Sequence, residues 1–144
     1  MKRAIAILFL VGVVGLLLIQ LVPYGRDHTN PAVVAEPPWD SPATRATAVI
    51  ACFDCHSNQT VWPWYSNIAP ASWLIQHDVD EGRQALNYSE WGIGQGGSES
   101  AEALSDGKMP PLTYILAHPE ANLSATDKAA FIKGLAATFG GGGD

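Results

Sequence analysis

Two cysteines and a histidine stand together at Cys52-Phe53-Asp54-Cys55-His56. The spacing Cys-x-x-Cys-His is the attachment signature of c-type haem. With both cysteines on the first turn of a helix, their thiols can reach the two vinyl groups at one porphyrin edge, and the adjacent imidazole then lies beneath the ring. The motif predicts one haem c, bound covalently through Cys52 and Cys55, with His56 as an iron ligand.

Other interpretations of the two cysteines are weaker. A disulfide inside the motif closes a tight, strained loop, and a redox-active dithiol requires a thioredoxin-like context that the sequence lacks. A zinc site requires four ligands, and no second cysteine pair or His-x₃-His pattern completes one. Two simply buried cysteines leave the following histidine unexplained.

Met109 is the predicted second axial ligand of the iron. Apart from the initiator it is the only methionine, and two prolines follow it. A thioether ligand is common in electron-carrying cytochromes and raises the reduction potential. His77 and His118 are rival ligands that would give a bis-histidine iron of lower potential. A vacant sixth position is a further alternative, and so is a Met109 that fills a gap in the core.

An uncharged apolar run at residues 4–22 follows Lys2 and Arg3. Its length suits a transmembrane helix of about 17–25 residues and exceeds the about 7–15 residues of a signal-peptide core. We expect an uncleaved single-pass anchor rather than a signal peptide removed near residues 33–35. Positive residues stay cytoplasmic, so the rest of the chain is expected outside.

The composition limits the possible partners. The chain has 144 residues, 14 acidic against 8 basic, and a net charge of −6. This balance argues against nucleic acid as a partner and favours a basic one. One modest domain fits the length, and five tryptophans argue against disorder throughout.

Helical signals dominate after the apolar run. Helices are predicted at 43–51, 72–86 and 98–105, and a last helix opens at the capping sequence Ser124–Asp127. A loop is expected at 91–97, and Pro110-Pro111 excludes a helix just after Gly107. The predicted organisation is therefore a membrane anchor or signal at 1–22, an extended connector at 23–40, a mostly α domain at 41–139 and a flexible tail at 140–144.

A series of short motifs, in this order along the chain, resembles the bacterial haem-binding domain family of cytochrome c-like proteins. The series comprises Asn30-Pro31, Cys52-x-x-Cys55-His56-Ser57-Asn58, Trp62-Pro63-Trp64-Tyr65-Ser66, Ile68-Ala69-Pro70, Trp73-Leu74, Glu81-Gly82-Arg83, Leu86-Asn87-Tyr88-Ser89-x-Trp91, Met109-Pro110-Pro111-x-x-Tyr114 and His118-Pro119.

The resemblance implies a small cytochrome c-like helical domain around one haem. It also implies that the carbonyl of Pro70 accepts the ring N–H of His56. From the residues themselves, we expect Arg83 to bind a haem propionate and the aromatic side chains of Trp64, Tyr65 and Trp73 to pack against the haem.

The predicted function is that of an electron carrier in the bacterial cell membrane, with the haem domain on the periplasmic side and a redox protein as its partner. No Ser/His/Asp nucleophile set or pair of carboxylates stands out, so an enzyme is less favoured. The alternatives are a peroxidase-like enzyme with an open iron position, and a haem-based sensor or subunit of a respiratory complex.

Overall fold

The computed structural model describes residues 1–92 and 97–140 as a mostly helical chain, as predicted. The helices are α1 (Lys2–Ile19), α2 (Pro42–Ala51), α3 (Phe53–His56), α4 (Ala71–Ala85), α5 (Ser100–Ser105), α6 (Leu112–Ala117) and α7 (Ala125–Phe139), with 3₁₀ helices at Trp64–Asn67 and Pro119–Ala121. Over these two ranges no strand forms. Most of the predicted loop at 91–97, namely residues 93–96, and residues 141–144 of the predicted tail fall outside the described residues.

Helix α1 is long and apolar enough to cross a membrane. It has 18 residues with a mean hydropathy of 2.3, and none of them is buried. The helix ends short of Val22, the last residue of the apolar run, and Gln20 caps it. The Gln20 side chain forms two hydrogen bonds with one residue: Nε2 donates to the Ala69 carbonyl at 2.8 Å, and Oε1 accepts from the Ala69 amide at 3.0 Å. The end of α1 is thereby held against the chain just before α4.

The connector is extended and lies along the helical domain. The Val34 amide donates to the Ser89 carbonyl at 2.8 Å, and the Trp91 amide donates to the Ala35 carbonyl at 3.1 Å. A carboxylate in this segment, Glu36, binds the guanidinium of α2 residue Arg45 through two hydrogen bonds of 2.6 and 2.7 Å. The connector is thus part of the packed domain.

Capping residues set the helix ends that the sequence predicts. Ser41 Oγ accepts from the Thr44 amide at 3.2 Å at the start of α2, and Ser124 Oγ accepts from the Asp127 amide at 3.1 Å at the start of α7. Gly107, just after α5, has a φ of 72°, a left-handed conformation that glycine adopts without a steric cost. The helices predicted at 43–51, 72–86 and 98–105 and the one opening at Ser124 are confirmed to within about two residues.

As predicted, no helix forms from Gly107 to Pro111. Helix α6 begins at Leu112, and Pro111 is its N-cap residue with φ −65° and ψ 150°. A proline at this position removes no intrahelical hydrogen bond, because the first amides of a helix have no partner within it.

The hydrophobic core lies between α2, α5 and α7 and includes the first residue of α3. Its buried members are Ala48, Phe53, Tyr88, Leu104, Phe131, Leu135 and Phe139. Trp39 from the connector packs against this cluster, 5.2 Å from the Tyr88 ring and 6.0 Å from the Phe139 ring. The core therefore holds Phe53, the second residue of the Cys-x-x-Cys-His segment, in place.

A buried polar network joins the segment after α3 to the segment after α4. Asn87 Nδ2 donates to Asn58 Oδ1 at 2.8 Å, and the Asn58 amide donates to Ser89 Oγ at 3.0 Å. Asn58 Nδ2 also donates to the Ala32 carbonyl at 3.0 Å. Because the three side chains are buried and hydrogen-bonded, they fix both segments relative to the connector.

Candidate functional site

The Cys-x-x-Cys-His segment forms α3, a single turn directly after α2. Cys52 ends α2 and begins α3 with φ −134° and ψ −34°, so the chain changes direction there. The amides of Cys55 and His56 both donate to the Cys52 carbonyl, at 3.2 and 2.8 Å. This turn places all three side chains on the wall of one cavity. Both cysteines are free thiols, and burial raises the pKa of Cys52 to about 12 and that of Cys55 to about 11.

A backbone carbonyl fixes the imidazole of His56. Nδ1 lies 3.1 Å from the Leu86 carbonyl oxygen, and since a carbonyl only accepts, Nδ1 carries the proton and Nε2 keeps its lone pair. Burial lowers the pKa of His56, which favours the neutral ring. The assignment of this carbonyl to Pro70 is wrong, because the Pro70 oxygen accepts from the amides of Trp73 and Leu74.

Two cavities meet at Cys52, His56 and Met109. The larger has a volume of about 520 Å³, within the range of about 300–1,000 Å³ that small-molecule sites occupy. The smaller, of about 180 Å³, extends towards the core. The walls of the larger cavity are mainly apolar and include Pro63, Ala71, Leu74, Ile75, Val79 and Ala85. The space beside the motif therefore suits a large, mostly apolar ligand.

Met109 lies on the wall of both cavities, where the sequence predicts a second ligand. The amides of Lys108 and Met109 donate to the Ala103 carbonyl at 3.0 and 3.2 Å, which ties this segment to α5. His118 also lines the larger cavity, with Nδ1 paired to Glu120 at 3.2 Å. His77 is exposed on α4 and lies outside both linings.

Helix α6 forms part of the wall that faces the motif. Tyr114 Oη donates to Asp54 Oδ2 at 2.8 Å, which joins α6 to the residue directly before Cys55. Burial and the Asp54 charge raise the pKa of Tyr114, so the phenol stays a hydrogen-bond donor. Tyr114 also stacks on His118, with ring centroids 4.3 Å apart. Its position three residues after the Pro-Pro pair was the only sequence signal for this role.

Gly82 allows α4 to pack directly on α3. A Cβ atom at this position would lie 2.8 Å from the Cys55 Cβ and closer still to the Cys55 carbonyl. Real Cβ atoms essentially never approach that closely, so the helices would have to move apart. The glycine of the Glu-Gly-Arg motif thus sets the position of one thiol, a role that the sequence does not reveal.

A family model described as a haem-binding domain matches residues 14–137. The chain belongs to the haem-binding domain family. No curated protein and no solved structure matches the chain.

The residues of the site fit a haem. The cavity is apolar, as a porphyrin requires, and one protein nitrogen at its wall, Nε2 of His56, keeps an available lone pair. When bound, the haem supplies an iron that exchanges single electrons. His56, Met109, Cys52 and Cys55 all line this cavity, so they are the residues that would hold the group.

Arg83 does not line either cavity of the haem-binding domain. Its Nε donates to the Ser57 carbonyl at 2.9 Å, and Nη2 donates to Asn30 Oδ1 at 2.9 Å and Thr60 Oγ1 at 3.0 Å. The predicted role as a propionate partner is therefore replaced by a structural one. Arg83 joins α4 to the connector and to the segment after α3.

The three predicted aromatic residues separate into two groups. Tyr65 lines the larger cavity, as expected for a residue that contacts the haem. Trp64 and Trp73 lie outside both linings: the Trp64 side chain is 77% exposed, and the Trp73 indole nitrogen is buried without a hydrogen-bond partner. Only Tyr65 of this set is placed to pack against the ligand.

Proposed function

We propose that the chain is a membrane-anchored c-type cytochrome with one haem, and that it transfers electrons. The observation that carries this proposal is that Cys52, Cys55, His56 and Met109 all line one mainly apolar cavity of a haem-binding domain. Few other chemistries require two thiols and a histidine on one helical turn beside a methionine.

Covalent attachment needs no external oxidant or reductant. Each thiol adds across a vinyl group, so that sulfur bonds to one vinyl carbon and the thiol hydrogen goes to the other. The mass of the product is thus the sum of polypeptide and haem. The one-turn geometry of α3 supports this step, because it presents both sulfurs to the same cavity.

His56 and Met109 are the proposed axial ligands. The Leu86 carbonyl holds the His56 ring in the tautomer that offers Nε2. A thioether on the other side favours the reduced iron and suits an electron carrier. His118 lines the same cavity and is the rival ligand, while an iron without a second protein ligand would favour a peroxidase-like enzyme.

Helix α1 is the proposed anchor. Its length and composition suit a bilayer span, and Lys2 and Arg3 at its start favour a cytoplasmic N-terminus. The haem domain then lies on the periplasmic side of a bacterial cell membrane. Its redox partner is a second protein, and the acidic charge of the domain favours a basic docking surface on that protein.

The proposal is tested by making the full chain in a bacterial host that matures c-type haem. The expected product has an intact mass equal to polypeptide plus one haem, retained after denaturation, and a low-spin spectrum that changes reversibly on reduction. Replacing both cysteines, C52A/C55A, should leave no covalently held haem. A wild-type product with the mass of bare polypeptide contradicts the proposal.

A further inference from the structure

The end of the apolar helix is fixed to one point of the haem-binding domain. Gln20 and Ala69 exchange two hydrogen bonds, and Arg26 Nη2 donates to the Gln20 carbonyl at 2.8 Å. Ala69 is fully buried. A flexible tether would leave the domain free to rotate, whereas this junction gives α1 a defined direction relative to the domain.

The depth of this junction follows from the length of α1. Eighteen residues at 1.5 Å each span about 27 Å, close to the about 30 Å of a bilayer's hydrocarbon core. Gln20 and Ala69 therefore lie near the boundary between hydrocarbon and headgroups. Headgroups extend the bilayer to about 40–45 Å in total, so residues close to Ala69 lie within reach of that region.

Large apolar side chains are exposed close to this junction. Trp64 and Ile68 precede Ala69 in the 3₁₀ helix and its C-cap, and both are exposed. At about 2 Å per residue, the Trp64 backbone lies within roughly 10 Å of Ala69. Leu21 and Val22 continue the apolar surface directly from α1. We name these four residues, Leu21, Val22, Trp64 and Ile68, the junction patch.

We propose that the junction patch lies in the headgroup region of the bilayer that α1 spans, and that it seats the haem domain on the membrane surface. Lipid is the occupant that the geometry favours, because Leu21 and Val22 directly continue the spanning helix, and Trp64 and Ile68 lie close to the point where its end is bonded to the domain. Tryptophan is enriched at this interface, where its ring packs among lipid chains while its N–H reaches polar groups. This inference rests on the membrane anchoring proposed above.

Spin labels on the full-length haem protein test the inference. Trp64→Cys, Leu116→Cys and Val11→Cys variants are labelled with a nitroxide and placed in phosphatidylcholine–phosphatidylglycerol vesicles. Power-saturation measurements then compare access of oxygen, which concentrates in lipid, with access of a water-soluble nickel complex. Leu116 on α6 is the matched control, since its side chain is 76% exposed against 77% for Trp64. Unmutated protein treated identically corrects for labelling of Cys52 and Cys55.

The expected result is a ratio of oxygen to nickel access several-fold higher at position 64 than at position 116, together with a lipid-like ratio at position 11. A water-like ratio at position 64 with a lipid-like ratio at position 11 overturns the inference and leaves the anchor intact. Water-like ratios at positions 64 and 11 overturn the inference and the membrane anchoring together.

Discussion

Nδ1 of His56 lies 3.1 Å from the carbonyl oxygen of Leu86. Leu86 is the C-cap residue of α4 and has an extended backbone, with φ −160° and ψ 128°, so its carbonyl is outside the helical hydrogen-bond pattern. This free acceptor at the end of α4 therefore determines which nitrogen of the His56 ring carries the proton. A ligand held in this way keeps its orientation and gains basicity.

Replacing the proximal ligand should separate attachment from coordination. In His56→Ala, we expect covalently held haem without the low-spin spectrum, because the thiols remain and the imidazole does not. Visible spectra of the oxidised and reduced protein measure this. His77→Ala is the control, since that histidine is exposed on α4. An unchanged low-spin spectrum in His56→Ala would exclude His56 as the ligand.

Met109→Ala should open the second axial position. We expect loss of the near-infrared sulfur–iron charge-transfer band, a lower reduction potential and carbon monoxide binding by the reduced protein. His118→Ala should change none of these three properties if Met109 is the ligand. The opposite pattern, with the effect in His118→Ala, would assign coordination to the histidine.

Gly82→Ala should destabilise the contact between α3 and α4. The added methyl group collides with Cys55, and overpacking of this kind costs about 1–3 kcal/mol. Denaturant unfolding of the full chain in detergent measures the loss, and a lower yield of attached haem should accompany it. His77→Ala on the same helix is the control and should stay within about 0.5 kcal/mol of the unmutated protein. Equal stability of the two variants would show that α3 and α4 can separate without cost.

Tyr114→Phe should loosen α6, which forms part of the cavity wall that faces the motif. It removes the 2.8 Å hydrogen bond to Asp54 and keeps the ring that stacks on His118. We expect a loss of about 1.5 kcal/mol in unfolding free energy and a faster rate of carbon monoxide binding to the reduced protein. Tyr24→Phe removes a longer, 3.4 Å contact at an exposed tyrosine and serves as the control. A Tyr114→Phe effect no larger than the control would contradict the proposed role of this bond.

The Glu36–Arg45 ion pair should make stability depend on pH. The hydrogen bonds from Arg45 lower the pKa of Glu36 below its ordinary value, so the paired carboxylate stabilises the fold above the unfolded-state pKa of about 4.3. This contribution is lost as the pH falls through the lower folded-state pKa. Glu36→Gln should therefore cost about 1 kcal/mol at pH 7.

Denaturant unfolding at several pH values tests this dependence. The difference between Glu36→Gln and the unmutated protein should shrink as the pH falls below about 4. Glu102→Gln, at an exposed position of α5 outside both cavity linings, is the control and should show a smaller difference at pH 7. A constant difference across the pH range would mean that the charge of Glu36 does not account for the effect.

Local patterns in the sequence predicted the parts of the molecule that local chemistry determines. The caps at Ser41 and Ser124 and the turn at Gly107 each depend on a few neighbouring residues, and the Ser124 cap was expected. The motif at residues 52–56 likewise forms one helical turn from its own backbone hydrogen bonds. Met109 was expected at the site because the chain offers no other internal methionine.

Contacts between distant segments could not be predicted in the same way. The Leu86 carbonyl is a backbone group, so its role leaves no trace in the residue type. Arg83 has the charge expected of a propionate ligand, but its neighbours in the fold are Ser57, Asn30 and Thr60. Gly82 is informative only once Cys55 is known to face it.

The network of Asn58, Asn87 and Ser89 has a consequence for protein engineering. The five residues from Cys52 to His56 are bonded to the segments that this network fixes: the Tyr88 amide donates to the His56 carbonyl at 2.8 Å, and Thr60 Oγ1 donates to the Asp54 carbonyl at 2.7 Å. Grafting that pentapeptide alone onto another scaffold would leave those polar groups behind. A transplant that retains the native conformation has to carry the segments after α3 and α4 and the connector as one module.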